Sequence, residues 1–205
     1  MIYAEPDRAR GRSFHGLLNY ILHDLQHAST SERVMVTAML NLLTNTLDLA
    51  ADEVRDTIRR ALAERRTGQR PDNLAFHFIL SWHEGDHPTA AHMIETARSA
   101  LTALRLGEHQ AVIAGHDDTD KPHVHVAVNI IHPETGIAAP LGWRYRTMSR
   151  WAAAYEISQG VIRCPKRFSP KAANESRKRL TEAEWQRRQT SRGKQKASKP
   201  PAPRP

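Results

Sequence analysis

The feature that most constrains the fold is a pair of histidines set in a run of alternating residues at positions 123–130, HVHVAVNI. A valine or isoleucine stands at every second position, which is the pattern of a β-strand with one face against a core. Alternation places His123, His125 and Asn129 on one face and the branched apolar residues on the other. The two imidazoles lie roughly 6.5–7 Å apart at their Cα atoms, so their rings can converge on one ion.

A third histidine belongs to the same pattern. His116 ends the preceding apolar run AVIAG, and a short polar turn that contains three aspartates and Pro122 separates the two runs. If the runs pair as adjacent antiparallel strands, His116 returns beside the first two histidines. Three neutral imidazoles with open positions suit Mn, Zn, Co, Ni or Fe, and Mg more weakly. A solvated polar strand face is the alternative for the histidine pair, but the third histidine and the aspartates favour a metal site.

The remaining patterns predict helices and strands with short connections. A strand over 74–82 places Phe76, Phe78 and Leu80 on one face and His77, Ile79 and Ser81 on the other. Helices are predicted over 13–27, 51–66, 88–106 and 150–159, and further strands at 1–4, near 33–37 and at Trp143–Arg146. This order indicates an α+β fold: a mostly antiparallel sheet with the histidine strand at its centre and helices packed against it.

Several residues have the character of helix ends. Ser13 and Ser149 are predicted N-caps, and Asp86 or His87 caps the helix that has Pro88 near its first position. Gly107 and Gly160 are predicted to end the helices that precede them.

Charge divides the chain into a domain and a tail. Residues 163–205 hold 14 Lys and Arg against 3 Glu, whereas residues 1–162 carry a net charge of −3, so the total of +8 comes from the tail. We expect a domain over 1–165 and a basic tail over 166–205, with a short helix near 181–189 and disorder beyond it. Nucleic acid is the natural partner for such a tail, and a solvated disordered end is the alternative.

Cysteine usage and hydropathy bear on the compartment. The single cysteine, Cys164, excludes an intramolecular disulfide and fits a reducing cytoplasm. No apolar run approaches 18 residues, and the N-terminus has no apolar signal-peptide segment. We therefore expect a soluble cytoplasmic protein with no membrane insertion.

Three motifs resemble those of the conjugative relaxases, or mobilisation nucleases, and occur in the same order as in that family. The family carries a His-hydrophobic-His signature. The motifs are LLNYILHD at 17–24, FILSWH at 78–83 and HDDTDKPHVHVAVNIIHPETG at 116–136. The resemblance continues through Ser149-Arg150-Trp151-Ala152 to Cys164-Pro165, so it covers roughly residues 10–168. Any one motif alone is weak, but the set of three is specific.

The resemblance implies a role for each matching residue. Tyr20 would be the nucleophile that forms a 5′-phosphotyrosine, and Tyr3 is its main rival. His116, His123 and His125 would hold a divalent metal, with Mn²⁺ or Mg²⁺ expected. Ser81 would hold DNA on the 3′ side of the nick.

Three more residues are candidates from their positions. Asp120 could orient an imidazole or help take the tyrosine proton, although a turn aspartate beside Pro122 is an equal alternative. Arg144 and Arg146 follow the sheet and could contact phosphates, and a solvated face is equally plausible for them.

The resemblance also implies the biological setting. The substrate would be a single-stranded or hairpin transfer origin, and the activity would be strand-specific nicking and later re-joining in conjugative plasmid mobilisation. Partners would include an accessory origin-binding protein, a coupling ATPase and a type IV secretion system, with delivery into a recipient cell alongside the DNA. Alternatives are a rolling-circle replication initiator, in which the tyrosine usually follows the histidine pair, a non-catalytic metal-containing DNA-binding module, and a plain metal-dependent hydrolase.

Overall fold

The computed structural model describes residues 1–6, 13–22, 34–64, 74–117 and 119–168. The first compact unit of the chain runs over Met1–Arg163, and the second begins at Cys164. In the described part, the elements in chain order are β1 Ile2–Ala4, α1 Phe14–Leu22, β2 Val34–Leu40, α2 Leu47–Glu64, β3 Ala75–Ser81, α3 Ala90–Ala103, β4 Ala111–His116, β5 His123–Asn129 and α4 Arg144–Ser158, followed by a 3-10 turn at Pro165–Phe168.

The five strands form one sheet in the order β1-β3-β5-β4-β2, and every neighbouring pair is antiparallel. The histidine strand β5 is therefore the central strand, and β4, which ends in His116, lies beside it. This confirms the predicted α+β fold and the pairing of the two histidine-bearing runs.

Helices cover both faces of the sheet. On one face α3 and α4 pack over an apolar layer that includes Phe78, Leu80, Val124 and Val126. On the other face α1 and α2 pack over a smaller cluster whose sheet residues are Val112, Ala114 and Ala127. The histidines share this second face, because they alternate with the valines along β5.

Helix α1 owes its position to an apolar stripe at helical spacing. Phe14, Leu17, Leu18 and Ile21 are buried against α2 and the sheet. Ser13 also caps this helix as predicted, since its Oγ accepts the backbone N–H of Gly16 at 3.1 Å. The predicted extensions of α1 to residue 27 and of α2 to residue 66 lie outside the described residues, as does the predicted tail beyond residue 168.

A glycine allows α3 to lie close to the sheet next to the site. A Cβ at Gly115 would come within 2.8 Å of Val36 Cγ1 and 2.9 Å of Met93 Sδ. A side chain at this position would therefore require the side chains of Val36 and Met93 to move.

Several local predictions are wrong. Strand β2 continues to Leu40, beyond the predicted end near residue 37, and helix α2 begins at Leu47, before the predicted start at residue 51. Helix α3 begins after Thr89, whose hydroxyl caps the helix by accepting the N–H of His92, so neither Asp86 nor His87 is the cap and Pro88 precedes the helix. The same helix has its C-cap at Leu104 and ends before Gly107.

The predicted edge strand at Trp143–Arg146 is instead the start of α4. Trp143 is the N-cap in a left-handed conformation, with φ 62° and no capping side chain, so Ser149 lies inside the helix and does not cap it. Without a Ser, Thr, Asp or Asn at the cap, the sequence offers no start signal there. The α4 end was predicted correctly, since Gly160 follows the C-cap Gln159 with φ 69°. None of the described helices is both long and apolar enough to cross a membrane.

Candidate active site

Strand register brings three histidines together on the face under α1. His116 is the direct cross-strand partner of His123, and the small residue Ala114 stands opposite His125. Ring centroids are 4.7 Å apart for His116 and His125, 5.0 Å for His123 and His125, and 5.1 Å for His116 and His123. Each ring offers one nitrogen to a set whose members all lie within 4.8 Å of one another. This spacing fits a single divalent ion bound by three imidazoles.

In each imidazole of this triad, one ring nitrogen contacts a polar atom outside the triad. His116 Nε2 donates to the carbonyl oxygen of Ile21 at 2.8 Å, near the end of α1. His123 Nδ1 donates to the carbonyl of Lys121 at 3.1 Å. His125 Nδ1 lies 2.9 Å from Nε2 of His77. Metal-binding histidines in proteins are commonly held in this way, so the donor set fits a bound metal.

His77 is the site residue that sequence reasoning left out. It lies on β3, has 6% of its surface exposed, and stacks on His125 with an interplanar angle of 20°. Burial lowers the pKa of His77 to about 4, so the ring is neutral at pH 7. The alternation of β3 had placed His77 on the Ser81 face. The sequence alone could not show that this face of β3 lies beside the histidine face of β5 in the sheet.

Tyr20 lies beside the triad on α1. Its half-buried ring is edge-on to both His125 and His77, with centroid separations of 6.0 Å and 5.9 Å. Helix α1 reaches this position because Ile21, the next residue, is buried and its carbonyl is bound by His116.

The other tyrosines lie on the opposite layer. Tyr3 packs on Phe78 and donates to Glu5 at 2.5 Å, and burial together with this hydrogen bond raises its pKa. The Tyr155 hydroxyl lies between Trp82 and His92, accepting from Trp82 Nε1 at 2.8 Å. Tyr145 is exposed on α4. The structure therefore places Tyr20, and not Tyr3, next to the three histidines.

Two further predicted residues lie at the same end of the sheet as the triad. Ser81 ends β3 and is the cross-strand partner of His123. Asp120 is exposed in the turn that leads from β4 to β5, where Thr119 Oγ1 donates to the Lys121 carbonyl. Asp118 lies outside the described residues.

The arginines predicted to contact DNA are not brought to the triad. Arg144 and Arg146 lie on α4, which packs on the opposite face of the sheet. Arg144 Nε donates to Glu5 at 2.7 Å, and its guanidinium lies over the Tyr145 ring, whereas Arg146 is exposed. Asn129 is also apart from the site, since its amide binds Gln110 and the Ile131 N–H at the far end of β5.

Comparison with known proteins gives a consistent result. The family model for the relaxase nuclease domain, MobA/VirD2-like, matches residues 20–161. Protein TraI of Escherichia coli is 29% identical over 160 residues, which are 77% of this chain and 20% of that protein. A second TraI from Escherichia coli is 29% identical over 150 residues, 73% of this chain and 19% of that protein.

A shorter match has a higher sequence identity. Protein MobA of Acidithiobacillus ferrooxidans is 41% identical over 59 residues, 29% of this chain and 14% of that protein. The chain spans a fifth or less of the length of each of these curated relatives. Since the family model covers more than half of the chain and includes both Tyr20 and the three histidines, this chain belongs to the MobA/VirD2-like relaxase nuclease-domain family of DNA-nicking enzymes.

Proposed function

We propose that this domain nicks one strand of a plasmid transfer origin by transesterification on Tyr20, with a divalent metal held by His116, His123 and His125. The observation that carries the proposal is the edge-on packing of Tyr20 against His125, beside the cluster of three imidazoles. The other candidates for the nucleophile, Tyr3 and Tyr155, form hydrogen bonds on the opposite layer.

The proposed step conserves bond energy. The Tyr20 oxygen attacks the phosphorus, a P–O bond forms to the tyrosine, and the bond from phosphorus to the 3′ oxygen breaks. The leaving oxygen takes a proton and becomes a 3′-hydroxyl, while the 5′ phosphate stays on the protein. Because one phosphodiester replaces another, a 3′-hydroxyl can attack the phosphotyrosine and re-join the strand.

We propose that the three histidines stabilise the negative charge on the phosphate through the divalent metal that they would hold. Mn²⁺ or Mg²⁺ bound there would neutralise a non-bridging oxygen and polarise the phosphorus. Asp120 is proposed either to take the phenol proton or to orient an imidazole, since its turn leads directly to His123. Ser81 is proposed to hold the strand on the 3′ side, because it pairs with His123 across the sheet.

The wider assignments follow from family membership. We propose single-stranded or hairpin origin DNA as the substrate, with Arg144, Arg146 and the basic tail over 166–205 as phosphate contacts. We also propose an accessory origin-binding protein, a coupling ATPase and a type IV secretion system as partners, and action in the bacterial cytoplasm with transfer of the bound strand to a recipient.

An adduct assay tests the proposal. Wild type, Tyr20→Phe and Tyr3→Phe are incubated with Mn²⁺ and labelled single-stranded DNA from the transfer region, and denaturing gels report protein-linked DNA. We expect a protease-sensitive band in wild type and Tyr3→Phe that is lost in Tyr20→Phe and on chelation of the metal.

The other possible results would indicate a different nucleophile or a different function. A band that persists in Tyr20→Phe and disappears in Tyr3→Phe would move the nucleophile to the opposite layer. Cleavage without a band would indicate a hydrolase. Metal and DNA binding with neither cleavage nor a band would indicate the non-catalytic module.

A further inference from the structure

Beneath the proposed metal ligands lies a fourth histidine that the mechanism has not used. His77 comes from the neighbouring strand β3, is the cross-strand partner of Ala127, and is buried. Its Nε2 is 2.9 Å from Nδ1 of His125, and the two rings stack with centroids 5.2 Å apart. The ring of Tyr20 is edge-on to both members of this pair.

This contact restricts the protons of both rings. A hydrogen bond between two neutral imidazoles needs one N–H and one lone pair, so only one of the two nitrogens carries the proton. If His77 donated, His125 would hold its own proton on Nε2, and neither of its nitrogens could bind a metal. If His125 donates from Nδ1, its lone pair lies on Nε2, where an ion can bind it.

We propose that His77 is a positioning residue that accepts the Nδ1–H of His125, which fixes the tautomer and ring orientation in which His125 can serve as a metal ligand. His116 and His123 use backbone carbonyls for the same purpose. His125 instead contacts a side chain, that of His77 on the neighbouring strand β3.

The position of Tyr20 means that His77 also affects how the tyrosine ring packs. Because the tyrosine ring contacts both imidazoles of the pair, a change in the ring angle of His125 also moves the surface against which Tyr20 packs. The role of His77 in metal binding rests on the proposed function, whereas its effect on the tautomer of His125 does not.

The tautomer is measured first, without metal. Long-range ¹H–¹⁵N spectra of the labelled full chain distinguish Nδ1–H from Nε2–H imidazoles. We expect His125 to be the Nδ1–H form in wild type and to move toward Nε2–H in His77→Phe, which keeps a ring of similar size but removes the acceptor. A wild-type His125 with its proton on Nε2, or a tautomer unchanged in His77→Phe, would overturn the proposal.

Metal affinity is measured second, by calorimetric titration with Mn²⁺. We expect His77→Phe to weaken binding by about 10- to 100-fold, which is typical for loss of a group that orients a metal-binding histidine. His77→Gln retains a carbonyl acceptor and should recover most of the affinity. His92→Phe is the matched control: it removes a histidine bound to Tyr155 on the opposite layer, and its affinity should equal that of wild type.

The outcomes separate this inference from the proposed function. Equal affinities in wild type and His77→Phe would overturn the role of His77, and so would a His77→Gln variant as weak as His77→Phe. A wild-type protein with no Mn²⁺ affinity would contradict the proposed metal site, and the tautomer spectra would then support or overturn the positioning role by themselves.

Discussion

The two faces of strands β3 and β5 differ completely in chemistry although they share one backbone. On the α3 side, Phe78, Leu80 and Val126 are fully buried in an apolar layer. On the α1 side, His77 and His125 are also buried, but they contact each other through polar atoms and stand next to Tyr20. Burial in this sheet therefore serves two purposes, stability on one face and orientation of ring nitrogens on the other.

This division follows from the period of a strand. Successive side chains point to opposite faces, so a residue that stabilises the core is always next in sequence to one that lines the site. A buried imidazole loses hydrogen bonds to water, and the contacts of His116 with Ile21 and of His125 with His77 offset part of that cost. The face of the histidines therefore combines polar groups with a smaller apolar cluster under α1 and α2, whereas the other face is an apolar layer.

The largest expected effect is on the apolar face. Phe78→Ala removes a ring with 0% of its surface exposed that packs on Tyr3 and Phe76, and should reduce the free energy of unfolding by about 3–5 kcal/mol. Urea denaturation measures this. Ile79→Ala, the next residue on the opposite face and only partly buried, is the control and should lose less than half as much. Equal losses would contradict the division between the faces.

A smaller effect, on activity and not stability, is expected at the edge of the triad. His123→Gln should lower single-turnover formation of the DNA adduct by about 10²- to 10³-fold, since loss of one of the three imidazoles would weaken the proposed metal site that stabilises charge on the phosphate. The free energy of unfolding should change by less than about 1 kcal/mol, because His123 is partly exposed and its carbonyl partner Lys121 is local.

His83→Gln is the control for this variant. His83 is an exposed histidine in the turn that follows β3, and its ring accepts only the nearby N–H of Gly85 among the contacts found in the described residues. Its adduct rate should match wild type. A His123→Gln protein that kept its rate but lost stability would place this histidine with the structural face.

Much of this arrangement was predictable because it depends on alternation alone. The valines of β5 and the aromatic residues of β3 gave the faces of both strands, and the polar turn between His116 and His123 was short enough to require antiparallel neighbours. The contact of Tyr20 with the triad came from family resemblance, since helical periodicity alone would leave it as a surface or core tyrosine.

What could not be predicted depends on tertiary contacts. The pairing of His77 with His125 needs the register between β3 and β5, which are separated by α3 and β4 in the chain. The start of α4 at Trp143 has no capping side chain and uses a left-handed backbone at a tryptophan, against local preference. Local sequence carries no trace of either feature.

The smallest effect concerns a histidine that belongs to neither the triad nor the apolar layer. His109 is 5% exposed and its Nδ1 donates to the Asn129 carbonyl at 2.9 Å. Burial lowers its pKa, with a further contribution from nearby His132, while the hydrogen bond to Asn129 and the charge of Glu108 oppose the shift. His109 therefore binds its second proton more readily in the unfolded chain than in the folded one.

The sign of the pH effect follows from this difference. The stability contributed by neutral His109 is present above its unfolded pKa of about 6.5 and is lost as the pH falls toward the lower folded value, with a slope of at most about 1.4 kcal/mol per pH unit. Urea denaturation of wild type and His109→Gln between about pH 7.5 and pH 5.5, in the presence of a chelator, isolates this contribution. The slope should be shallower in the variant. Equal slopes would mean that His109 binds protons alike in both states, and burial alone would then not distinguish a structural histidine from those of the triad.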